Sequence, residues 1–322
     1  MTRRLLVVAV LAALLAGGCV PSTPRDAPGA LGSDATGRLT FGTLGTLERV
    51  DASRLERADQ SVGLTGELRL PDGGGPFPAV VLMHGCGGLG NAEWGWVGPL
   101  KAAGYATFVV DSFTGRGLTE VCMSSRALLS VQRLPDAYGA LRRLATHARI
   151  DARRIALMGF SHGGSVTLFS ATAWAKDVYG REAAAAFRAF LPFYPGCNSD
   201  YPERRAVSAP LRIHIGELDD WTPAAPCREL VAMLKAGGFD ADITVYPGAH
   251  HSFDNVGRRV AWLPRVDSAA GCPIRSASIL GPVLNGAEVL GCLHKGATLG
   301  WSPTATEQAR RNVVAQLATL LR

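Results

Sequence analysis

The sequence predicts an α/β protein with one mostly parallel central sheet covered by helices on both faces. Three observations predict it. Short apolar runs rich in β-branched residues recur along the chain, helical patterns lie between them, and the reactive residues collect just past the carboxyl ends of those runs. In order, strands are expected at Thr65 to Leu70, Ala79 to Met83, Tyr105 to Val110, Ile155 to Met158, Ala189 to Phe193, Leu211 to Ile215 and Ile243 to Tyr246. Each is bounded by glycine, proline or polar residues, which punctuate strands. Helices are expected at about Trp96 to Ala103, Ser125 to His147, Ser165 to Trp174, Pro226 to Gly237 and Thr304 to Leu321.

At 322 residues and 47% hydrophobic composition, the chain is long enough for one large domain with a substantial core. Its formal charge is +6, but the basic residues are scattered rather than gathered in tracts, which speaks against a nucleic-acid partner. No internal repeat and no apolar run of membrane length follow the N-terminus. No feature fixes an oligomeric state.

The opening stretch "MTRRLLVVAVLAALLAGGC" has Arg3 and Arg4, an apolar run from Leu5 to Ala16, and then small residues. That is the pattern of a secretory signal, too short to span a bilayer as a helix. "LAGGC" also resembles the lipobox of bacterial lipoproteins. The resemblance implies a signal peptide over 1–18 and diacylglycerol on the sulfur of Cys19. Val20 after that cysteine implies the outer rather than the inner membrane, with the lipid anchor as the membrane contact. An ordinary signal peptide is the alternative. Residues 19–40 are rich in Pro, Gly, Ser, Asp and Ala and are expected to form a flexible tether, with the folded domain over 41–322.

Within "RRIALMGFSHGGSV", Gly159, Ser161 and Gly163 complete the G-x-S-x-G of a nucleophile elbow, at a strand-to-helix junction that thrusts the serine oxygen outward. Downstream, "ELDDWTP" follows the strand "LRIHIG", and "GAHHSF" follows "ITVYP". The order serine, aspartate, histidine suits nucleophilic catalysis. A hydroxyl is a weak nucleophile until an imidazole takes its proton, and a carboxylate sets the imidazole's tautomer and stabilises its cation. By position alone Asp219 competes with Asp220, and His251 with His250. Ser161 has a blander role open to it as a helix cap.

From about Gly63 to Phe253 the chain resembles the dienelactone hydrolase family of α/β-hydrolases, through "HGCGG", "GFSHGG", "GELDDWTP" and "AHHSF". The resemblance implies the α/β-hydrolase fold and a triad of Ser161, Asp219 and His251, the last two matching the family's G-x-x-D and H-S-F patterns. Many members carry cysteine as the nucleophile, where this chain has serine. No arginine stands next to His251, where dienelactone hydrolases hold their substrate's carboxylate. In this fold the oxyanion hole is backbone, and it would be built here from the N–H groups of Cys86 and His162. His84 is expected to orient its loop. His214, inside a strand, is expected to be structural, and His147 to be exposed.

Trp94, Trp96, Phe113, Arg116, Tyr194 and Trp221 lie near predicted strand ends and are candidates to line a substrate pocket. Arg116 would hold an acidic substrate group or anchor its own loop. Apart from Cys19 there are six cysteines, an even set that suits disulfides in an oxidising compartment. Cys86 and Cys122 lie in loops leaving neighbouring strands and are expected to bond, as are Cys197 and Cys227. Cys272 and Cys292 then pair within an excursion at about 256–300, a stapled lid or a surface feature. A free thiol at Cys86 is the alternative. Neither C-x-x-C nor H-E-x-x-H is present, so no metal and no cofactor are expected.

The activity expected is that of a cell-envelope serine hydrolase acting on a small-molecule carboxylic ester through an acyl-enzyme. The alternatives are a peptidase or acyltransferase with the same triad, and a non-catalytic binding protein on a hydrolase scaffold.

Overall fold

The computed structural model describes residues 29–45, 47–49, 55–57, 62–183, 185–272, 274–281 and 292–322. The expected signal sequence, Cys19 and most of the expected tether lie outside them.

The main sheet is built from β1 (Gly37–Gly42), β4 (Gly63–Arg69), β5 (Phe77–Met83), β6 (Ala106–Asp111), β7 (Ile150–Phe160), β8 (Phe187–Phe193), β10 (Leu211–Gly216) and β11 (Ala241–Tyr246). Small pairs form apart from it, from β2 (Leu47–Arg49) with β3 (Leu55–Arg57), β9 (Ser199–Asp200) with β13 (Ile274–Arg275), and β12 (Ala261–Ser268) with β14 (His294–Leu299). The eight described strands of the main sheet run in the order β1-β4-β6-β5-β7-β8-β10-β11. Pairing is antiparallel for β1 with β4 and β4 with β6, and parallel from β6 through β11. β7, β8 and β10 carry buried apolar runs rather than alternation, as strands covered on both faces must.

The long helices are α1 (Asn91–Ala102), α2 (Leu134–Ala145), α3 (His162–Ser170), α6 (Ala224–Ala236) and α7 (Pro303–Leu320), with single turns α4 (Ala173–Ala175) and α5 (Arg181–Ala183). Connections between parallel strands are right-handed. The step from β5 to β6 runs one way along the sheet and the step from β6 to β7 runs back, so α1 and α2 must lie on opposite faces. The packing follows: α1 sits with α7, and α2 with α3. The reversal leaves β6 and β7 on either side of β5, and ligand sites form in the crevice outside the carboxyl ends at such a point.

The structure departs from the sequence reading in three places. β1 starts at Gly37, inside the expected tether, and Leu31 is buried and bonded through its backbone to Thr146 and Ala148. The edge of β4 needs a hydrogen-bonding partner, and this segment supplies it. The helix expected over Ser125 to His147 begins only at Leu134, preceded by tight turns at Ser125–Ala127 and Ser130–Arg133. Pro135 has no N–H to give and fits only a first turn. His147, expected to be exposed, is buried, with Nε2 at 2.8 Å from the Ala35 carbonyl.

Candidate active site

Ser161 sits between β7 and α3 with φ 54° and ψ −113°, a left-handed conformation rare for any residue with a Cβ. Its neighbours explain how the chain tolerates this. A Cβ at Gly163 would run into the Met83 and His84 carbonyls, and one at Gly159 into Gly163, so only glycine allows α3 to start so close to β5 and β7. The Ser161 N–H donates to the Phe193 carbonyl at 3.0 Å, tying the turn to β8.

β10 and β11 deliver the partners. Ser161 Oγ lies 2.8 Å from His251 Nε2, and His251 Nδ1 lies 2.8 Å from Asp219 Oδ2. His251 and Asp219 are both buried. The other Asp219 oxygen accepts from the N–H groups of Trp221 (3.0 Å) and Thr222 (2.8 Å), and the Thr222 hydroxyl is 3.1 Å from Oδ2. With Oδ1 held by two backbone N–H groups and Oδ2 facing the ring, His251 has one arrangement: Nδ1 carries the proton and Nε2 accepts from serine.

The neighbouring rivals face elsewhere. Asp220 turns out to β14, accepting from the N–H and hydroxyl of Thr298 at 2.7 Å each. His250 directs Nδ1 at the Leu218 carbonyl. Consecutive residues in such turns point in different directions, and here one of each pair joins the chain of contacts, His251 touching Ser161 and Asp219 touching His251.

The N–H of His162 opens α3 and has no partner within the helix. The loop after β5 brings Cys86 to the wall of a cavity that Ser161 and His162 also line. Arg133, which the sequence reading did not single out, joins the two sides. It is fully buried, with one guanidinium nitrogen 3.0 Å from the His84 carbonyl and 2.8 Å from His162 Nδ1. His162 Nδ1 must therefore accept, and Nε2–H donates to the Leu128 carbonyl at 3.0 Å. Burial first, and the Arg133 charge second, lower the His162 pKa to about 3, so the ring stays neutral. His84 holds the loop as expected, donating from Nδ1 to Gly85 O at 2.7 Å and accepting from the Ser112 N–H at 3.2 Å.

Cys86 is disulfide-bonded to Cys122, which fastens this loop to the one after β6, and Val121 N–H donates to Cys86 O at 2.8 Å. Cys197 is bonded to Cys227, and Cys272 to Cys292.

Of the pocket candidates, Trp221 lines the cavity and packs on His251 with ring centres 4.8 Å apart. Arg116 does not line it. Its guanidinium forms a two-pronged ion pair with buried Asp136 at 2.7 and 2.9 Å, so it anchors its loop. Trp94 also stands away from the cavity and is exposed: on α1 it is two residues, about 200° of turn, from inward-facing Trp96. Trp96 is buried and donates to Asp254 Oδ2 at 2.7 Å, and Tyr194 donates to Asp254 Oδ1 at 2.6 Å. Phe113 packs edge-on against His84.

Glu93, near the start of α1, is a further residue the sequence reading passed over. Its carboxyl oxygens accept from the N–H groups of Gly85 (3.2 Å) and Gly90 (2.9 Å), so it braces the loop that carries Cys86. Burial raises its pKa from 4.5 to about 7, against the lowering effect of its hydrogen bonds. Between those values the folded state holds a proton that the unfolded chain releases. Stability should therefore fall as pH rises from 4.5 to 7, by on the order of 3 kcal/mol, and level off above. Buried Asp254, also raised by burial, acts in the same direction. In thermal unfolding at pH 5 and pH 8, the Glu93→Gln variant should show a clearly smaller loss than the wild type. Equal losses would mean that Glu93 is not the group responsible.

The model of the dienelactone hydrolase family matches residues 64–272. The chain belongs to that family. Among individual relatives, a protein of Bradyrhizobium sp named "Probable 2-oxo-3-(5-oxofuran-2-ylidene)propanoate lactonase" is 24% identical over 207 residues, 60% of this chain and 82% of that one. Esterase EstD of Thermotoga maritima is 32% identical over 126 residues, 37% of this chain and 30% of its own length. Among solved structures, the dienelactone hydrolase-like promiscuous phosphotriesterase P91 from metagenomic libraries superposes with a TM-score of 0.56 at 16% identity, covering 89% of this chain and all of that one. That last likeness is one of fold.

Proposed function

We propose that the protein is a serine hydrolase of the cell envelope that cleaves small or medium carboxylic esters through an acyl-enzyme. The observation that carries this reading is the chain of contacts from Ser161 Oγ through His251 to Asp219, 2.8 Å at each step, at a strained elbow. Family membership and the esterase and lactonase relatives support the hydrolytic class.

In the first half-reaction Ser161 Oγ attacks the ester carbonyl as His251 Nε2 takes its proton. The carbonyl oxygen becomes an oxyanion that accepts from the N–H groups of Cys86 and His162. Donors aimed at developing charge contribute a few kcal/mol of transition-state stabilisation, on the order of 3 kcal/mol for one such donor. The carbonyl re-forms, the C–O bond to the alcohol breaks, and His251 gives its proton to the departing alkoxide. Water then repeats the sequence on the acyl-serine, losing a proton to His251, and Ser161 regains its proton as the acid leaves. Asp219 remains ionised throughout, stabilising the imidazolium.

The three disulfides are consistent with export, since such bonds persist in oxidising compartments. The same proposal anchors the chain through lipid on Cys19, for which the sequence pattern is the support.

The test is a panel of activated esters, thioesters and aminopeptide substrates, with fluorophosphonate labelling followed by peptide mapping. The expected result is ester turnover and a label on Ser161. Labelling with turnover of the peptides alone would make the protein a peptidase, and no labelling would end the nucleophile assignment.

A further inference from the structure

A cavity of about 440 Å³ opens beside Ser161. Three of its lining residues, Ser161, Ser165 and Phe169, are spaced four apart and stand on one face of α3. At 1.5 Å per residue that face spans about 12 Å, so the cavity is elongated along the helix and leads away from the nucleophile. Its far end is apolar. Phe169 meets Tyr201 edge to face at 5.7 Å, and Ile274 and Ile279 line the cavity with them.

Those two isoleucines belong to the excursion, which is a fixed roof. β13 pairs with β9, placing Ile274 beside Ser199. Asn198 Nδ2 donates to the Ala269 and Cys272 carbonyls at 2.7 and 2.8 Å, and the Ile279 N–H donates to Glu203 at 3.1 Å. Nearer the serine, Asp267 accepts from the N–H and hydroxyl of Ser125 at 2.9 and 3.0 Å, and its own N–H donates to the Cys122 carbonyl at 2.8 Å. The roof is thus tied both to the loop that carries Cys122 and to the loop that follows β8.

We propose that this cavity is a channel for the straight acyl chain of the ester, with Ile274 and Phe169 setting the chain length it takes. This rests on the hydrolase reading above. The walls include Ser161, Cys86 and His162; His251 is not among them and meets the cavity through Trp221 and Thr222, which touch it. The leaving alcohol must depart next to His251, which protonates it, so a channel on the oxyanion side receives the acyl half. Its apolar end rewards each added methylene until the chain reaches Phe169 and Ile274.

The experiment pairs a kinetic series with a binding measurement that needs no turnover. For 4-nitrophenyl acetate, butyrate and octanoate, wild-type kcat/KM should rise with acyl length. The ceiling is about fourfold per methylene, the equivalent of ~0.8 kcal/mol per CH₂ buried. Ile274→Trp should lose at least tenfold on the octanoate ester and stay within about threefold on the acetate. Leu293→Trp, at another residue of the cavity wall, provides a second filling variant should the first fold poorly. By calorimetry, octanoate should bind wild type more tightly than acetate does, and this advantage should vanish in the filled variants. A flat acyl series, a preference that follows the alcohol instead, or filled variants with unchanged length dependence would each overturn the channel. If wild type turned over no ester yet bound octanoate in this Ile274-dependent way, the hydrolase reading would fall and the channel would stand.

Discussion

Ser161→Ala should lower ester hydrolysis by on the order of 10⁴-fold or more and abolish fluorophosphonate labelling, while the protein still folds. The size follows from how the three groups act. Without Oγ there is no acyl-enzyme, and His251 and Asp219 have nothing to activate, so the whole covalent route is lost at once and losses within such a unit do not add. What survives is the background rate that binding and the oxyanion donors sustain. Folding should survive because alanine keeps the Cβ already accommodated at φ 54°, and the backbone bonds that hold the turn, from Ser161 N–H to Phe193 O and from Ser165 N–H to Ser161 O, do not involve the hydroxyl. The measurements are steady-state hydrolysis, labelling and thermal unfolding on the same preparation. Near wild-type turnover with an intact melting transition would remove Ser161 from the chemistry.

The sequence made some of this architecture plain because the relevant signals are local. A strand, a glycine-flanked serine and a helix follow one another within fourteen residues, and a parallel sheet forces every strand end to one side, so Ser161, Asp219 and His251 could be gathered without coordinates. What stayed hidden depends on long-range partners. Arg116 looks like a substrate ligand until buried Asp136, twenty residues on, is seen to claim it. Arg133 reads as one more basic residue ahead of a helix. Its role appears only when the turn before α2 carries it to both His84 O and His162. Glu93 could have been suspected, because an acid three residues after Gly90 at a helix start is a capping pattern. Its second bond, to the loop of Cys86, had no sequence signal. Thr222 lies in the quoted "GELDDWTP" and was passed over because threonine beside a turn is unremarkable there. The roof over the channel has weak periodicity because a largely exposed hairpin, the two-residue β13 and a disulfide order it rather than a repeating apolar face.

Asp219→Asn should cost about 10³- to 10⁴-fold in turnover, and Asp220→Asn less than about threefold, although the two residues are adjacent. Asp219 Oδ1 accepts two backbone N–H bonds, from Trp221 and Thr222, and Oδ2 faces His251 Nδ1. An asparagine has one oxygen, and the two N–H donors of the turn will hold it. The NH₂ group is then left against His251 Nδ1. Two donors cannot share that contact, so the imidazole must carry its proton on Nε2 instead, the nitrogen that has to accept from Ser161. The loss is one of tautomer and of support for the imidazolium, with the geometry otherwise retained, so it should fall on kcat more than on KM. At position 220 the amide fits the partners already present. Its oxygen accepts from the Thr298 N–H and its NH₂ donates to the Thr298 hydroxyl, keeping both contacts to β14 far from the imidazole. The comparison is steady-state kinetics on one ester for both variants, with ring-proton NMR to report the His251 tautomer. Equal losses would mean that the turn as a whole, and not the carboxylate of Asp219, is what the chemistry needs. A larger loss at 220 would mean that the turn presents the other carboxylate to His251 in solution.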